Sequence, residues 1–324
     1  MKHNILIPID FSSVTDKQLA YAATLVHDPA NTVITLYHAV ALPPPVYMVD
    51  AHPLQYIQPD YNGIRERVEA LGEQLRTSLR VADVQCIVAT GAPQSKVSQL
   101  VQGDVYEATV IGSHGQGALY DLVFGSVTAA VLKQANSPVH VLPASTTVAP
   151  KPNGPVAVCV DLVDTAEANR HVLEVAAAAA QRTGCKAVAL YAEPRPGTFV
   201  ITGYADLDVR SEERLRVLDR ALAKRCHEVT ALTGIAFETV VRFGAPAAVL
   251  RHEIDDLEPS LLVLGAHRNG VVHDLILGSV SRKLLKHAET PVIVANAERP
   301  KTPSQNMRKS AERFPESATL PTPY

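Results

Sequence analysis

The sequence predicts an α/β protein built from two tandem, doubly wound domains. Three observations carry this prediction: the chain repeats itself at an offset of 153 residues, short apolar runs alternate with helical stretches, and a proline-rich segment separates the two copies. Residues 87–139 align without a gap on residues 240–292, and 18 of these 53 positions are identical. A period this long indicates a duplicated domain rather than a stacked array of short repeats.

The first copy begins with a strand at Ile5–Ile9, because a continuous apolar run is typical of a strand buried on both faces. Ser12 or Ser13 can then cap a helix that runs to about Val26. The hydrophobic pattern predicts further strands near Thr32–Ala39, Gln85–Ala89, Ala108–Ile111 and Val139–Leu142, and helices near Ile64–Arg80, Ser95–Gln102 and Ser126–Gln134.

The second copy repeats this scheme. Its strands are predicted near Val156–Val160, Ala187–Tyr191, Ala236–Val241, Leu261–Leu264 and Val292–Ala295, and its helices at Thr165–Arg182, Val209–Leu232, Ala247–Asp255 and Ser279–His287. Alternating βα units with apolar strands predict a five-stranded parallel sheet in each domain, with helices on both faces and right-handed crossovers.

Composition shifts place the domain boundaries. Residues 145–155 are rich in Pro, Ser, Thr and Gly without an apolar period, so we expect a linker there. The first domain is then 1–144 and the second 156–296. Residues 297–324 carry five prolines and no apolar period, and they are expected to form a disordered tail.

The composition excludes several classes of protein. Apolar residues make up 47% of the chain and charged residues 19%, which is typical of a folded globular protein. A formal net charge of −3 offers no positive field to nucleic acid or an anionic membrane. No apolar run approaches the roughly 18 residues of a membrane span, no export signal is visible, and four scattered cysteines indicate reduced, buried thiols. We expect a cytoplasmic protein that binds neither nucleic acid nor membrane.

An aspartate follows the first strand of each copy, Asp10 in one and Asp161 in the other. Ligands of doubly wound sheets bind beyond the carboxyl ends of the strands, where the strand order reverses. Each carboxylate therefore has two interpretations. It accepts backbone N–H groups and caps the helix, or it binds a sugar hydroxyl or helps to hold a metal.

A glycine-rich loop follows the fourth strand of copy one. Gly112, Gly115 and Gly117 lie within six residues, and Gly125-Ser126-Val127 then opens a helix. Glycines let backbone N–H groups approach a phosphate, and a helix N-terminus adds donors and partial positive charge. Glycine-rich turns also arise for purely conformational reasons, so this pattern needs support from other residues.

The spacing Gly112-x2-Gly115-x9-Gly125-Ser126 resembles the nucleotide-binding signature of the universal stress protein family. The segments Pro8–Ser12, Leu36–Val40 and Ser137–Val141 resemble the family's first, second and last strands, and with both copies counted the resemblance covers nearly all of residues 1–296. It implies an adenine nucleotide alpha hydrolase-like fold in each domain. It also implies pairing through the last strands, which a tandem chain can form internally as a pseudo-dimer, and a homodimer stays open.

The resemblance further implies that copy one binds ATP with Mg²⁺. No lysine of the P-loop type is present, so Mg²⁺ or the helix end must neutralise the phosphate charge. Carried over residue by residue, the site has Pro8, Ile9 and Asp10 beside the adenosine, Ala39 at the adenine, Ile111 and Gly112 at the ribose, and Gly115, Gly125, Ser126 and Val127 at the phosphates.

Copy two departs from the signature, because Arg268 stands where the second glycine belongs. A long side chain there costs strain if the position needs a positive φ, or it fills the pocket, although an arginine can also bind a phosphate. We therefore expect the nucleotide mainly in copy one and an altered site in copy two. The candidate second site comprises Asp161, Gly265, Arg268, Gly278 and Ser279.

Other chemistry has less support. The turn after the first strand lacks the GxGxxG of NAD enzymes, no GxSxG is present, and a phospho-receiver would need an aspartate where Gly91 and Gly244 stand. His114 and His267 recur at equivalent positions without a metal-binding pair, so no metal is expected beyond nucleotide-bound Mg²⁺.

Two function hypotheses result. In the first, a stress-response protein binds ATP in copy one, hydrolyses it slowly at most and engages an unknown protein partner. In the alternative, both sites are degenerate and the chain is a scaffold or a small-molecule or lipid-binding protein. The segments Tyr47–Tyr61 and Phe199–Asp208 are expected to be irregular loops that cover the sites.

Overall fold

A computed structural model describes residues 2–41, 59–114, 124–146, 154–194, 204–269 and 272–296. The first half of the chain contains β1 (His3–Pro8), α1 (Thr15–Ala23), β2 (Thr32–Val40), α2 (Tyr61–Leu79), β3 (Asp83–Thr90), α3 (Pro93–Val101), β4 (Ala108–Gly112), α4 (Ser126–Gln134) and β5 (Val139–Leu142). The second half contains β6 (Val156–Cys159), α5 (Ala166–Thr183), β7 (Ala187–Glu193), α6 (Tyr204–Thr233), β8 (Phe237–Phe243), α7 (Pro246–Leu257), β9 (Leu261–Asn269), β10 (Val272–Ile276), α8 (Ser279–His287) and β11 (Val292–Asn296).

The described strands form one sheet in the order β3-β2-β1-β4-β5-β11-β9-β6-β7-β8, and β10 pairs with β9 beside this path. Along this order, neighbouring strands of the same half are parallel. The halves meet where β5 and β11 pair antiparallel, with Val139 opposite Val294 and Val141 opposite Val292. The predicted doubly wound α/β fold is confirmed, and the last strands of the two copies pair with each other inside the chain.

Two hydrophobic layers, one on each face of the sheet, run from the first half into the second. Because successive strand residues point to opposite faces, Ile5 and Ile7 enter one layer and Leu6 the other. The first layer includes Leu19 of α1, Leu75 of α2, Leu173 of α5 and Leu222 of α6; the second includes Val97 of α3, Val131 of α4, Leu250 of α7 and Leu284 of α8. Each leucine-sized side chain buried in this way contributes about 2 kcal/mol.

The first helix differs from its prediction at both ends. It begins at Thr15, and no side chain caps it: the Oγ of Ser12 instead accepts the Val14 amide at 3.4 Å, inside the preceding turn. It ends at Ala23 rather than Val26, because the amides of Leu25 and Val26 donate to carbonyls three residues back and so tighten the last turn.

Two segments of the second half also differ. β9 was expected to end at Leu264 but continues to Asn269, because its extension pairs antiparallel with β10. The sequence predicts a loop at Phe199–Asp208 and a helix from Val209. In the structure α6 begins at Tyr204, five residues earlier, so the second part of this segment is helical. Of the other expected connections, residues 42–58, 147–153 and 195–203 and the tail 297–324 lie outside the described residues.

The cysteines are free thiols, as expected, but only Cys226 is buried; Cys86, Cys159 and Cys185 are half-buried. None of the described helices combines the length and the hydropathy that crossing a membrane requires.

A buried histidine lies on the strand that joins the halves. His140 on β5 is 3% exposed, stands opposite Ile293 of β11, and shares a hydrogen bond of 3.0 Å with the hydroxyl of Tyr21. Burial, with the positive charge of Arg182 from the second half, lowers the pKa of His140 to about 3. The folded protein therefore keeps this imidazole neutral at every pH from the neutral range down to about 4.

Because the pKa of His140 is lowered in the folded protein, we expect the free energy of unfolding to fall in acid. The unfolded chain protonates His140 near pH 6.5 whereas the folded chain does not, so the unfolded state gains protons and stability falls as the pH falls. From pH 7.5 to 5, we expect this side chain to cost about 2 kcal/mol of the free energy of unfolding. Urea titrations at both pH values should show a smaller loss in His140→Gln than in the wild type, and an unchanged loss in the control His252→Gln, an exposed position. Equal losses in all three proteins would contradict this assignment.

Candidate functional site

The strand order reverses once in each half, and each reversal creates a crevice at the carboxyl ends of two strands. In the first half β1 and β4 are neighbours, with β2 and β3 on one side and β5 on the other. In the second half β6 and β9 take these places. Such switch points are where ligands of open α/β sheets bind. Because β5 and β11 are antiparallel, the two crevices open at opposite edges of the sheet.

The end of β1 forms one wall of the first crevice. Pro8 and Ile9 are buried, and the Ile9 amide extends the pairing with β2 by donating to the Tyr37 carbonyl at 2.9 Å. Asp10 is half-buried, and its Oδ1 accepts the Ser12 amide at 3.0 Å. The carboxylate therefore stabilises the turn that leads into α1, which is the structural role that the sequence left open beside the binding role.

Phe11, the next residue, has an unusual backbone. Its φ is 58°, in the left-handed region that costs a bulky L-residue about 1 to 2 kcal/mol. Its ring lies 4.7 Å from the His38 ring, between centroids, and the guanidinium carbon of Arg67 lies 4.0 Å from its centroid. Sequence reasoning missed these three residues as a group, because no pattern connects a turn, a strand end and a helix that are far apart in the chain.

The end of β4 and the start of α4 form the other wall. The Thr128 hydroxyl donates to the Gly112 carbonyl at 2.6 Å, and the Gly125 amide donates to the Ser113 carbonyl at 2.8 Å. These bonds hold the N-terminus of α4 at the crevice. Ser126 is exposed at its first position and Val127 is half-buried. The first-turn amides have no partner within the helix, and the helix dipole gives this end partial positive charge.

The remaining predicted residues of the first site are placed as follows. Ala39 at the end of β2 is half-buried and packs against the second hydrophobic layer, and Ile111 is buried within that layer, so its side chain belongs to the core. Gly112 has no room for a side chain, because a Cβ would lie 2.9 Å from Cγ1 of Val14 and 3.2 Å from the His114 carbonyl. Gly115 lies outside the described residues.

The second crevice repeats part of this framework. Oδ1 of Asp161 accepts the Val163 amide at 2.9 Å, as Asp10 does for Ser12. The Ser281 hydroxyl donates to the Gly265 carbonyl at 3.4 Å, as Thr128 does to Gly112. Gly278 and the exposed Ser279 begin α8. These recurring hydroxyls stand at the repeat offset, so the alignment contains the signal for them.

Arg268, which stands where the second glycine of the signature belongs, lies in a strand. Of the alternatives that the sequence leaves open, strain from a positive φ does not apply, because the backbone of Arg268 lies within β9 and pairs with Leu275 of β10. The strand pairing imposes an extended backbone, which any residue adopts. The hairpin of β9 and β10 contacts α4 of the first half. The strand β10, which follows the equivalent of the glycine-rich loop, therefore contacts the first half.

Metal-ligating residues do not cluster in the part of the chain that the structure describes: no group of three or more His, Cys, Asp or Glu side chains there could hold an ion. The Nδ1 of His114 lies 3.1 Å from the Ser113 hydroxyl. The side chain of His267 lies outside the described residues.

The architecture defines a tandem, doubly wound α/β protein with a helix N-terminus at each switch point. The statistical model of the universal stress protein family matches it twice, at residues 1–143 and 153–296. The chain belongs to the universal stress protein family.

The chain is similar to several individual proteins. A universal stress protein of Mycobacterium tuberculosis is 26% identical over 305 residues, which cover 91% of this chain and 97% of the relative. The crystal structure of a universal stress protein from Archaeoglobus fulgidus covers 91% of this chain and 98% of its own, with a TM-score of 0.63 and 18% identity. Another universal stress protein from Archaeoglobus fulgidus has been solved in complex with dAMP; it matches 44% of this chain and 96% of its own, with 21% identity and a TM-score of 0.29.

The close packing around Gly112 predicts the effect of adding one methyl group. Gly112→Ala places a Cβ within 2.9 Å of Val14, so we expect the free energy of unfolding to fall by about 1 to 3 kcal/mol. Gly103→Ala is the matched control, because its Cβ would be 3.6 Å from the nearest atom, and a change within about 0.5 kcal/mol is expected. Urea unfolding measures both, and equal stabilities of the two variants would refute the packing argument.

Proposed function

We propose that this universal stress protein binds ATP with Mg²⁺ in the crevice of its first half and acts in the cytoplasm as a stress-response protein. The observation that carries the proposal is the start of α4, held at the switch point by the bond from the Gly125 amide to the Ser113 carbonyl. This places a helix N-terminus, with exposed Ser126, where ligands of this fold class bind.

The residues divide the ligand between the two walls. Pro8, Ile9 and Asp10 border the adenosine, Ala39 contacts the adenine, and the backbone at Ile111 and Gly112 faces the ribose. The phosphates lie at Gly115, Gly125, Ser126 and Val127, where amides and one hydroxyl donate to them. Burial of the Ile111 side chain is compatible with this division, since it leaves only the backbone of that residue to face the ligand.

The second half has an altered site in this proposal. Asp161, Gly265, Gly278 and Ser279 retain the framework, but Arg268 lies in a hairpin that contacts α4. Backbone groups paired across a hairpin are not available to a phosphate. We infer that each chain binds one nucleotide. The site binds the nucleotide rather than catalysing a reaction, and any hydrolysis is slow. A protein partner, of unknown identity, would respond to occupancy of the first half.

A matched pair of substitutions tests where the nucleotide binds. Ser126→Asp adds a negative charge at the start of α4, which is favourable for the helix but repels a phosphate. We expect an unchanged or higher melting temperature and at least about a tenfold loss of ATP affinity, equal to 1.4 kcal/mol. Ser279→Asp makes the same change at the equivalent residue of α8 and should leave the affinity unchanged.

Isothermal titration of the full chain with ATP and Mg²⁺ measures both variants and the stoichiometry. Absence of binding to the wild type would reject the proposal in favour of a scaffold or a protein that binds another small molecule. Equal losses in the two variants, with two nucleotides bound per chain, would reject the restriction to the first half.

The metal ion is tested separately. Because the proposed phosphate cradle consists of uncharged amides and a hydroxyl, Mg²⁺ must offset part of the triphosphate charge. Replacing Mg²⁺ with EDTA should weaken ATP binding by about tenfold, and should weaken AMP binding far less. Titrations of both nucleotides with and without the metal provide the comparison. An affinity for ATP that does not depend on Mg²⁺ would contradict this role.

A further inference from the structure

Phe11 is the residue whose conformation most needs an explanation. Three non-glycine residues in the described part of the chain have a positive φ: Phe11, Arg80 and Glu258. Arg80 and Glu258 are the C-caps of α2 and α7, where a left-handed residue commonly ends a helix. Phe11 instead lies between a strand and a helix, beside Asp10, so its strain needs a different cause.

Two other elements hold this phenylalanine in place. His38 from β2 contacts the ring, and its Nδ1 donates to the Ile9 carbonyl at 2.8 Å. Arg67 from α2 places its guanidinium carbon 4.0 Å from the ring centroid, within the range of a cation–π interaction. We call these three side chains the Phe11 clamp. The backbone on both sides of Asp10 is therefore fixed, by His38 at Ile9 and by the clamp at Phe11.

The second half holds the same turn by different means. Leu162 follows Asp161 there, and no positive φ is found at it. Its carbonyl accepts a bond of 3.2 Å from Arg225 of α6, which also reaches the Asp164 carbonyl at 3.5 Å. Both turns thus receive an arginine from the helix above them. In the first half this arginine, Arg67, packs on the aromatic ring of the residue after the aspartate, whereas in the second half Arg225 donates to backbone carbonyls.

We propose that Phe11 is the positioning residue of the first site: the clamp fixes the backbone at Asp10, so that the carboxylate meets the nucleoside part of the ligand in a single orientation. This inference rests on the proposed function. A group that is already ordered loses less entropy on binding, so the clamp raises affinity without contributing a contact of its own. The phosphates lie on the opposite wall, at α4, and do not depend on it.

The test removes the aromatic ring while the left-handed backbone at position 11 stays accessible. Phe11→Gly removes the ring but adopts a positive φ freely, whereas Phe11→Tyr retains the ring. We expect at least about a tenfold loss of ATP affinity in Phe11→Gly and near wild-type affinity in Phe11→Tyr. Arg67→Met, at an exposed position, should show a smaller loss and keeps the test valid if Phe11→Gly does not fold. Leu162→Ala is the control in the second half and should bind ATP as the wild type does.

Inorganic tripolyphosphate is the second probe, measured by displacement of ATP from the full chain. Its affinity should be unchanged in Phe11→Gly and Arg67→Met, because the proposed phosphate contacts lie on the opposite wall, away from the Phe11 clamp. Wild-type ATP affinity in Phe11→Gly, or in Arg67→Met if the glycine variant does not fold, would overturn the proposal. An equal loss for ATP and tripolyphosphate would do the same, since it indicates general loosening. Failure of the wild type to bind ATP would instead reject the proposed function and the clamp with it.

Discussion

The antiparallel pairing of β5 with β11 is the interaction on which the rest of the structure depends. Each of these strands is the last of its half, and without the other it would present a row of unpaired amides and carbonyls. Their pairing merges two parallel arrays into one sheet, so both hydrophobic layers continue from half to half. Residues at the seam, such as His140 and Ile293, are consequently buried as deeply as those in the middle of a domain.

This seam also explains why the two crevices are related and yet distinct. Because the joint is antiparallel, the carboxyl ends of the two sets of strands lie at opposite edges of the sheet. Communication between them would have to pass through shared elements. α4 is such an element, because its N-terminus lies at the first crevice while the hairpin of the second half contacts it.

The sequence predicts the repeating framework well and the connections poorly. Strands such as the one predicted at Ile5–Ile9 can be recognised as continuous apolar runs, because both faces of a central parallel strand are buried. The start of α4 at Ser126 agrees with the prediction, which was based on the segment Gly125-Ser126-Val127. The extension of β9 could not be predicted, since it depends on pairing with β10. The left-handed Phe11 could not be predicted either, because His38 and Arg67, which hold it, come from elements that only the fold brings together.

A comparison of the two halves separates what the fold requires from what a ligand requires. Gly91 and Gly244 have φ values of 133° and 148°, and their amides donate to the last residues of β2 and β7. Asp10 and Asp161 hold equivalent turns, as do the hydroxyls that bond Gly112 and Gly265. At these positions the two copies share a residue or, at Thr128 and Ser281, a hydroxyl group, and each makes the same backbone bond in both halves. The proposal of one nucleotide per chain therefore depends on positions where the copies differ, such as Arg268, which stands where the first copy has Gly115.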